Sequence, residues 1–235
     1  MGLADLHIHT TYSWDGTATA REIVLYASQN TDLDVIAITD HDTTEGALQA
    51  ADLAAGLDLE VVTGCEIATS AGHLQALFIQ ENVPAGLSLV ETIMRVGELG
   101  GLCVIPHPLA NNPHGISEIA LRIALRDPEV PHILVGVEAY NAGLVNQASN
   151  AKARVLGERL GFSLIGGSDS HMLWTIGKGA TAFAGNTAAD LRHALETRAT
   201  VAVKRGPTNP VHLIMTWLGS FTLRRMGISA AWFSS

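Results

Sequence analysis

Side chains alternate along an extended strand, so His7 and His9 in the run Asp5-Leu6-His7-Ile8-His9 face the same side while Ile8 faces the other. Two imidazoles can then reach one cation, provided the strand ends where a site is built. That requirement constrains the fold, because similar polar endings recur along the chain. Thr39-Asp40-His41-Asp42, Gly64-Cys65-Glu66, Pro106-His107-Pro108 and Gly167-Ser168-Asp169-Ser170-His171 each follow an apolar, β-branched run. In a barrel or open α/β sheet, the C-terminal strand ends converge on one face.

The runs predict strands at 3–9, 35–39, 59–66, 73–79, 102–106, 133–139 and 162–166, with a shorter eighth at 180–184. Helical patterns fall at 18–29, 44–55, 87–99, 116–126, 146–160 and 187–197. Most strands precede a helix, the arrangement of a parallel sheet with helices outside. The third strand instead passes through the Ser70–Gly72 turn into the fourth. If the fourth runs antiparallel, His73 at its start joins the same face. A distorted seven-stranded (β/α)7 TIM-like barrel is expected, with an open doubly wound sheet as the alternative.

The 235 residues are 47% hydrophobic and 16% charged, enough for one large core over 1–209. The formal net charge of −9 disfavours a stable nucleic-acid complex. Cys65 and Cys103 lie in apolar runs and imply no disulfide framework, and no signal-peptide or membrane-spanning pattern occurs. The cytoplasm is the default location. Residues 210–235 differ, with an apolar 210–221, Arg224-Arg225 and an apolar 230–233. A helix packing on the barrel or on a twin subunit is expected, which makes a homo-oligomer one candidate assembly. A membrane-surface segment and a disordered tail are the alternatives.

The candidate metal ligands are His7, His9, Asp15, His41, Glu66, His73, His107, Asp169 and His171. Imidazole with carboxylate suits Mn²⁺, Zn²⁺ or Fe²⁺ and argues against Ca²⁺. His114, His132, His193 and His212 lie in loop or helix contexts and are read as non-ligands. Asp5, Asp40 and Asp42 are expected to orient histidines or cap turns, and Glu138 to line the cleft. No Gly-x-Ser-x-Gly elbow or Walker-type loop is present.

Asp-Leu-His-Ile-His-Thr, Tyr-Ser-Trp-Asp-Gly, Ile-Thr-Asp-His-Asp, Gly-Cys-Glu-Ile, Pro-His-Pro and Gly-Gly-Ser-Asp-Ser-His, in this order over about residues 3–205, resemble the PHP (polymerase and histidinol phosphatase) superfamily. The resemblance implies a distorted barrel binding two or three divalent transition-metal ions. It implies that His7, His9, Glu66 and Asp169 hold one metal. Glu66 would bridge to a second, completed by His73 and His107, and Asp15, His41 and His171 would hold a third. Several family members have histidine where Asp15 stands. The implied activity is hydrolysis of a phosphorylated small metabolite or nucleotide by a metal-activated hydroxide. A metal-dependent C–N or C–O hydrolase, a nuclease and a non-catalytic metal-binding module are the alternatives. Asp42 or a metal-bound water is the candidate proton donor to the leaving group, and Lys178 and Arg205 are candidate phosphate-binding cations. Trp14 is read as packing or cleft wall, and Tyr140 and Trp174 as stacking or pocket-lining residues.

Overall fold

A computed structural model describes residues 1–110, 114–144, 148–206 and 209–227. The start of the expected helix at 146 and the apolar run 230–233 lie outside these residues. The elements in chain order are β1 (Gly2–Ile8), α1 (Ala20–Asn30), β2 (Val35–Ile38), α2 (Glu45–Ala54), β3 (Glu60–Thr69), β4 (Gly72–Leu77), α3 (Leu89–Glu98), β5 (Leu102–Ile105), α4 (Glu118–Ala124) and α5 (Val130–Ile133). They continue with β6 (Leu134–Asn141), α6 (Ala148–Leu160), β7 (Ser163–Gly167), a 3₁₀ turn (Leu173–Thr175), β8 (Gly179–Phe183), α7 (Ala188–Glu196), β9 (Val201–Lys204) and α8 (Pro210–Arg225).

The nine strands form one sheet in the order β7-β6-β5-β4-β3-β2-β1-β8-β9. β1 with β2, β2 with β3, β5 with β6, and β6 with β7 are parallel. β4 is antiparallel to both neighbours, and its register pairs Ala68 with His73. The start of β4 therefore lies at the C-terminal end of β3. The sheet is barrel-like, as expected, but has nine strands rather than seven. The expected eighth strand pairs antiparallel with β1, and β9 was not foreseen.

The two ends of this sheet nearly close on each other without a regular ladder. The Ser170 amide donates to the His7 carbonyl (3.1 Å), and the His9 amide to the Ser170 carbonyl (2.8 Å). Lower down, the Thr181 hydroxyl donates to the Gly166 carbonyl (2.9 Å) and accepts from the Gly166 amide (3.0 Å). The strands approach so closely there that a Cβ on Gly166 would lie 2.2 Å from the Ala180 carbonyl oxygen. Only glycine permits that approach.

The helices follow from sequence. Thr19 caps α1, its hydroxyl accepting from the Glu22 amide while the Glu22 carboxylate reaches back. Ala20, Ile23, Val24 and Ala27 then bury one face at helical spacing. α7 packs Leu191, Ala194 and Leu195 into the cluster containing Leu6, Val35, Val104 and Phe183. Its first amide, at Ala188, donates to Glu60, the first residue of β3 (2.8 Å). This helix thus seals the end where the parallel strands begin and leaves their C-terminal ends open. Cys65 and Cys103 are buried and unpaired, and burial pushes the Cys65 thiol up to about 12.

Candidate metal centre

The open end gathers all nine expected ligands into one cluster. Ligand atoms of His7, His9 and Glu66 lie within 4.8 Å of one another, as do those of three further sets: His7, His107 and Asp169; His41, Glu66 and His73; and His9, Asp15, His41 and His171. Glu66 stands at the centre. Its Oε1 lies 2.9 Å from His73 Nδ1 and 2.9 Å from His107 Nε2. Its Oε2 lies 3.4 Å from the Nε2 atoms of His7 and His9 and 3.3 Å from His41 Nδ1. Asp169 Oδ1 closes the far side, 3.4 Å from His7 Nε2 and 3.5 Å from His9 Nε2. Asp15 Oδ2 lies 3.4 Å from His41 Nε2 and 3.1 Å from His171 Nε2.

Three of the rings have their tautomer fixed from behind. The buried Glu138 accepts from His7 Nδ1 (3.1 Å), and its other oxygen accepts the His107 amide (2.7 Å) and the Asn141 side-chain amide (2.9 Å). Ser13 spends its hydroxyl proton on Asp40 (2.7 Å), so its oxygen accepts from His9 Nδ1 (3.0 Å) and the His41 amide (3.0 Å). His171 Nδ1 donates to the Asp169 carbonyl (3.0 Å). In each ring the Nε2 lone pair is thereby directed into the cluster, the state a metal ligand needs.

The donor set fits divalent cations. His9 Nε2 and Asp15 Oδ1 are buried with no hydrogen-bond partner among the described residues. Such atoms are costly unless a cation takes their lone pairs. Burial alone would raise Glu66, yet His7, His107 and His73 hold it well below the usual carboxylate range. Asp169 is held down in the same way, chiefly by His7 and His9, and Asp15 by His171 and His41. Burial, with His171 adjacent, pushes His9 down to about 4, whereas Asp15 and Asp169 outweigh burial and lift His171 to about 9. Protons therefore compete with cations for these rings. Imidazole-rich sites with carboxylates select transition metals.

The backbone bends sharply to present these groups. Asp42, His107 and Asp169 all adopt left-handed φ angles, at 55°, 29° and 52°. Such conformations persist in non-glycine residues only where the surroundings enforce them. Buried Asp5 supplies one enforcement, accepting the amides of Ser168 (2.9 Å) and Gly177 (2.7 Å). Burial, partly offset by these bonds, raises its carboxyl to about 6. Asp5 thus holds the loop after β7 rather than a histidine ring. Asp42 holds a turn through the Ala68 amide (2.8 Å).

A cavity of about 320 Å³ opens over the cluster, walled by Trp14, Asp42, Ala68, His114 and Leu144 as well as the ligands. Trp14 is cleft wall, 68% exposed and stacked on His41 at 6.3 Å. His114, read from sequence as a non-ligand, lies against His73 with ring centroids 4.4 Å apart. Arg205 is turned away, its guanidinium paired with Asp32 at 2.5 Å. Lys178 packs beside Gly206. Neither lines the cavity, and among the described residues no lysine or arginine does. Glu138 sits wholly behind His7 instead of lining the cleft. Tyr140 is buried below the site and Trp174 packs on His212 (5.1 Å).

Residues 5–141 match the PHP domain model, and residues 147–200 match the PHP-associated model. The chain belongs to the PHP family. An uncharacterized protein of Methanocaldococcus jannaschii is 38% identical over 157 residues, 61% of this chain and 86% of its own length. A phosphoribosyl 1,2-cyclic phosphate 1,2-diphosphodiesterase of Eggerthella lenta is 34% identical over 89 residues, 35% of this chain and 33% of its own. Among solved structures, a two-domain protein from Bacteroides vulgatus containing a predicted PHP-like metal-dependent phosphoesterase superposes with a TM-score of 0.71 at 19% identity. That superposition covers 94% of this chain and 68% of the other. The likeness is one of fold.

Sequence reading missed Ser13 and Asn141 as parts of this PHP centre. Asn141 donates to both Glu138 (2.9 Å) and Asp169 (3.1 Å). Its place at the end of β6 was the available signal. α8 was also missed as a neighbour of the site. The Trp217 indole N–H donates to the Asp15 carbonyl (3.0 Å). The Arg224 guanidinium donates to the carbonyls of Thr11 (2.6 Å), Ser13 (3.1 Å) and Gly16. Among the described residues no helix is long and apolar enough to cross a membrane.

Proposed function

We propose that the chain hydrolyses phosphate esters, most simply the monoester of a small metabolite or nucleotide, with two or three Mn²⁺, Zn²⁺ or Fe²⁺ ions as cofactors. The observation that carries this reading is the placement of Glu66. Its two oxygens address two different sets of imidazoles, as a carboxylate shared between neighbouring cations must. His7, His9 and Asp169 would hold one cation with Glu66, His73 and His107 a second, and Asp15, His41 and His171 a third. Cations held there supply Lewis acidity, which polarises phosphate oxygens and makes water nucleophilic near neutral pH.

The protein's own groups then have distinct tasks. Glu138, Ser13 and the Asp169 carbonyl keep three Nε2 lone pairs aimed inward. Asp42 lines the cavity with one oxygen tied to the Ala68 amide, which leaves the other to face a departing alkoxide. With no lysine or arginine in the described cavity wall, phosphate charge would have to be met by the cations. Support also comes from the E. lenta relative, a diphosphodiesterase by name.

The test is phosphate release from a panel of esters by protein reconstituted with Mn²⁺, beside Asp169→Ala. Release by the wild type and its loss in the variant are expected. A fully metal-loaded protein that releases phosphate from none of the esters overturns the reading.

A further inference from the structure

A second cavity, of about 210 Å³, opens beside the metal centre. Asp15, Asp169 and His171 form one side of it, and Leu213, Ile214 and Trp217 of α8 face them across the gap. The remaining side-chain donors in its wall are already engaged. The Ser168 hydroxyl donates to the His7 carbonyl (3.3 Å), and the Thr175 hydroxyl to the Met172 carbonyl (2.7 Å). The Trp217 indole N–H is taken by the Asp15 carbonyl (3.0 Å). What α8 offers to an occupant is hydrocarbon and the face of an indole ring. A sugar hydroxyl or base edge laid against α8, away from Asp15, Asp169 and His171, would lose its water partners without replacement. A carbon skeleton would lose nothing and gain contact area. Helix α8 is held in place over the site by the bonds from Arg224 to the loop that carries Asp15.

We infer that this cavity is the subsite for the alcohol portion of the substrate, and that this portion is a small apolar group: an aromatic ring or a short branched alkyl chain. The inference rests on the phosphoester reading of the metal centre, because Asp15, Asp169 and His171 belong to both cavities. The alcohol portion of a phosphate ester held at that centre would therefore have this cavity within reach. Size agrees. A hydrocarbon-lined cavity of about 150 Å³ accepts benzene. The present one takes a six-membered ring with a few further carbons.

The experiment titrates hydrolysis-inert phosphonates, methyl through butyl and phenyl, into the Mn²⁺-loaded full chain by calorimetry. Affinity should rise about fourfold for each methylene added, from about 0.8 kcal/mol per buried group. Phenylphosphonate should bind at least about tenfold more tightly than methylphosphonate. Ile214→Trp, which fills the cavity, and Ile214→Asp, which makes its wall polar, should each flatten the series. A flat series in the wild type, or a slope that survives in both variants, overturns the inference. Benzyl alcohol, which lacks phosphorus, separates the two readings. It should move the Trp217 indole N–H resonance in the wild type and not in Ile214→Asp. A resonance that does not move overturns the apolar subsite whatever the esters do. Movement without any ester hydrolysis supports the subsite and places the failure in the phosphoester reading.

Discussion

Glu138 touches no cation position, yet replacing it with glutamine should weaken metal binding. The carboxylate accepts three hydrogen bonds, from His7 Nδ1 on one oxygen and from the His107 amide and Asn141 on the other. Glutamine has one oxygen and one NH₂. Turning the NH₂ towards His107 and Asn141 would oppose donors to donors at 2.7 and 2.9 Å. The amide must instead present its NH₂ to His7. His7 Nδ1 then accepts, the ring proton moves to Nε2, and the lone pair facing Glu66 and Asp169 is lost. Changes to groups that orient metal-bound histidines typically cost 10- to 100-fold in affinity, or about 1.4–2.7 kcal/mol. The assay is competition with a chelating indicator, alongside metal content after dialysis and a thermal melt of the stripped protein. A folded Glu138→Gln protein that binds Mn²⁺ and Zn²⁺ as tightly as the wild type would refute the argument.

Other outcomes follow from the same geometry. A Cβ on Gly167 would lie 2.4 Å from Glu138 Oε1 and 2.8 Å from His7 Cβ, so Gly167→Ala should cost about 1–3 kcal/mol in chemical denaturation and lower metal affinity. Arg224→Ala removes donors from several carbonyls of the 11–16 loop. It should lower Tm by about 2–8 °C, for roughly 1–2 kcal/mol lost in a domain of this size. The stripped protein should lose stability as pH rises from about 6.5 through 9. The raised pKa of His171 favours the folded form most fully below its ordinary value, and that contribution disappears once the ring deprotonates. Melts with Mn²⁺ should show the opposite slope over the acidic side of this range, because protons leaving the rings strengthen metal binding.

Much of the centre was legible because local rules fix it. Strand alternation put His7 and His9 together, and the short turn after β3 returned His73 to Glu66. Asp169 and His171 announced themselves by spacing, although the left-handed φ at Asp169 breaks simple alternation. What escaped is non-local. Nothing adjacent in sequence to Glu138 reveals that it meets residue 7, and Ser13 looks like any loop serine until Asp40 takes its proton. β9 was missed because Val201–Lys204 is short and its outer residues are exposed. α8 is apolar around much of its girth, leaving Val211, Met215 and Leu218 exposed, so periodicity could not say which face meets the site.

The bond from Asp5 to the amides of Ser168 and Gly177 spans 163 and 172 positions of the chain. Its presence ties the first strand to the loop that delivers Asp169 and His171. Closing loops of this range costs chain entropy before the contact offsets it, which slows folding. During synthesis, Glu66 follows His7 and His9 early, but well over half of the polypeptide must be made before Asp169 exists. A centre drawn from both the first strand and the loop after β7 would be complete only once the barrel closes, and bound cations would then add resistance to its reopening.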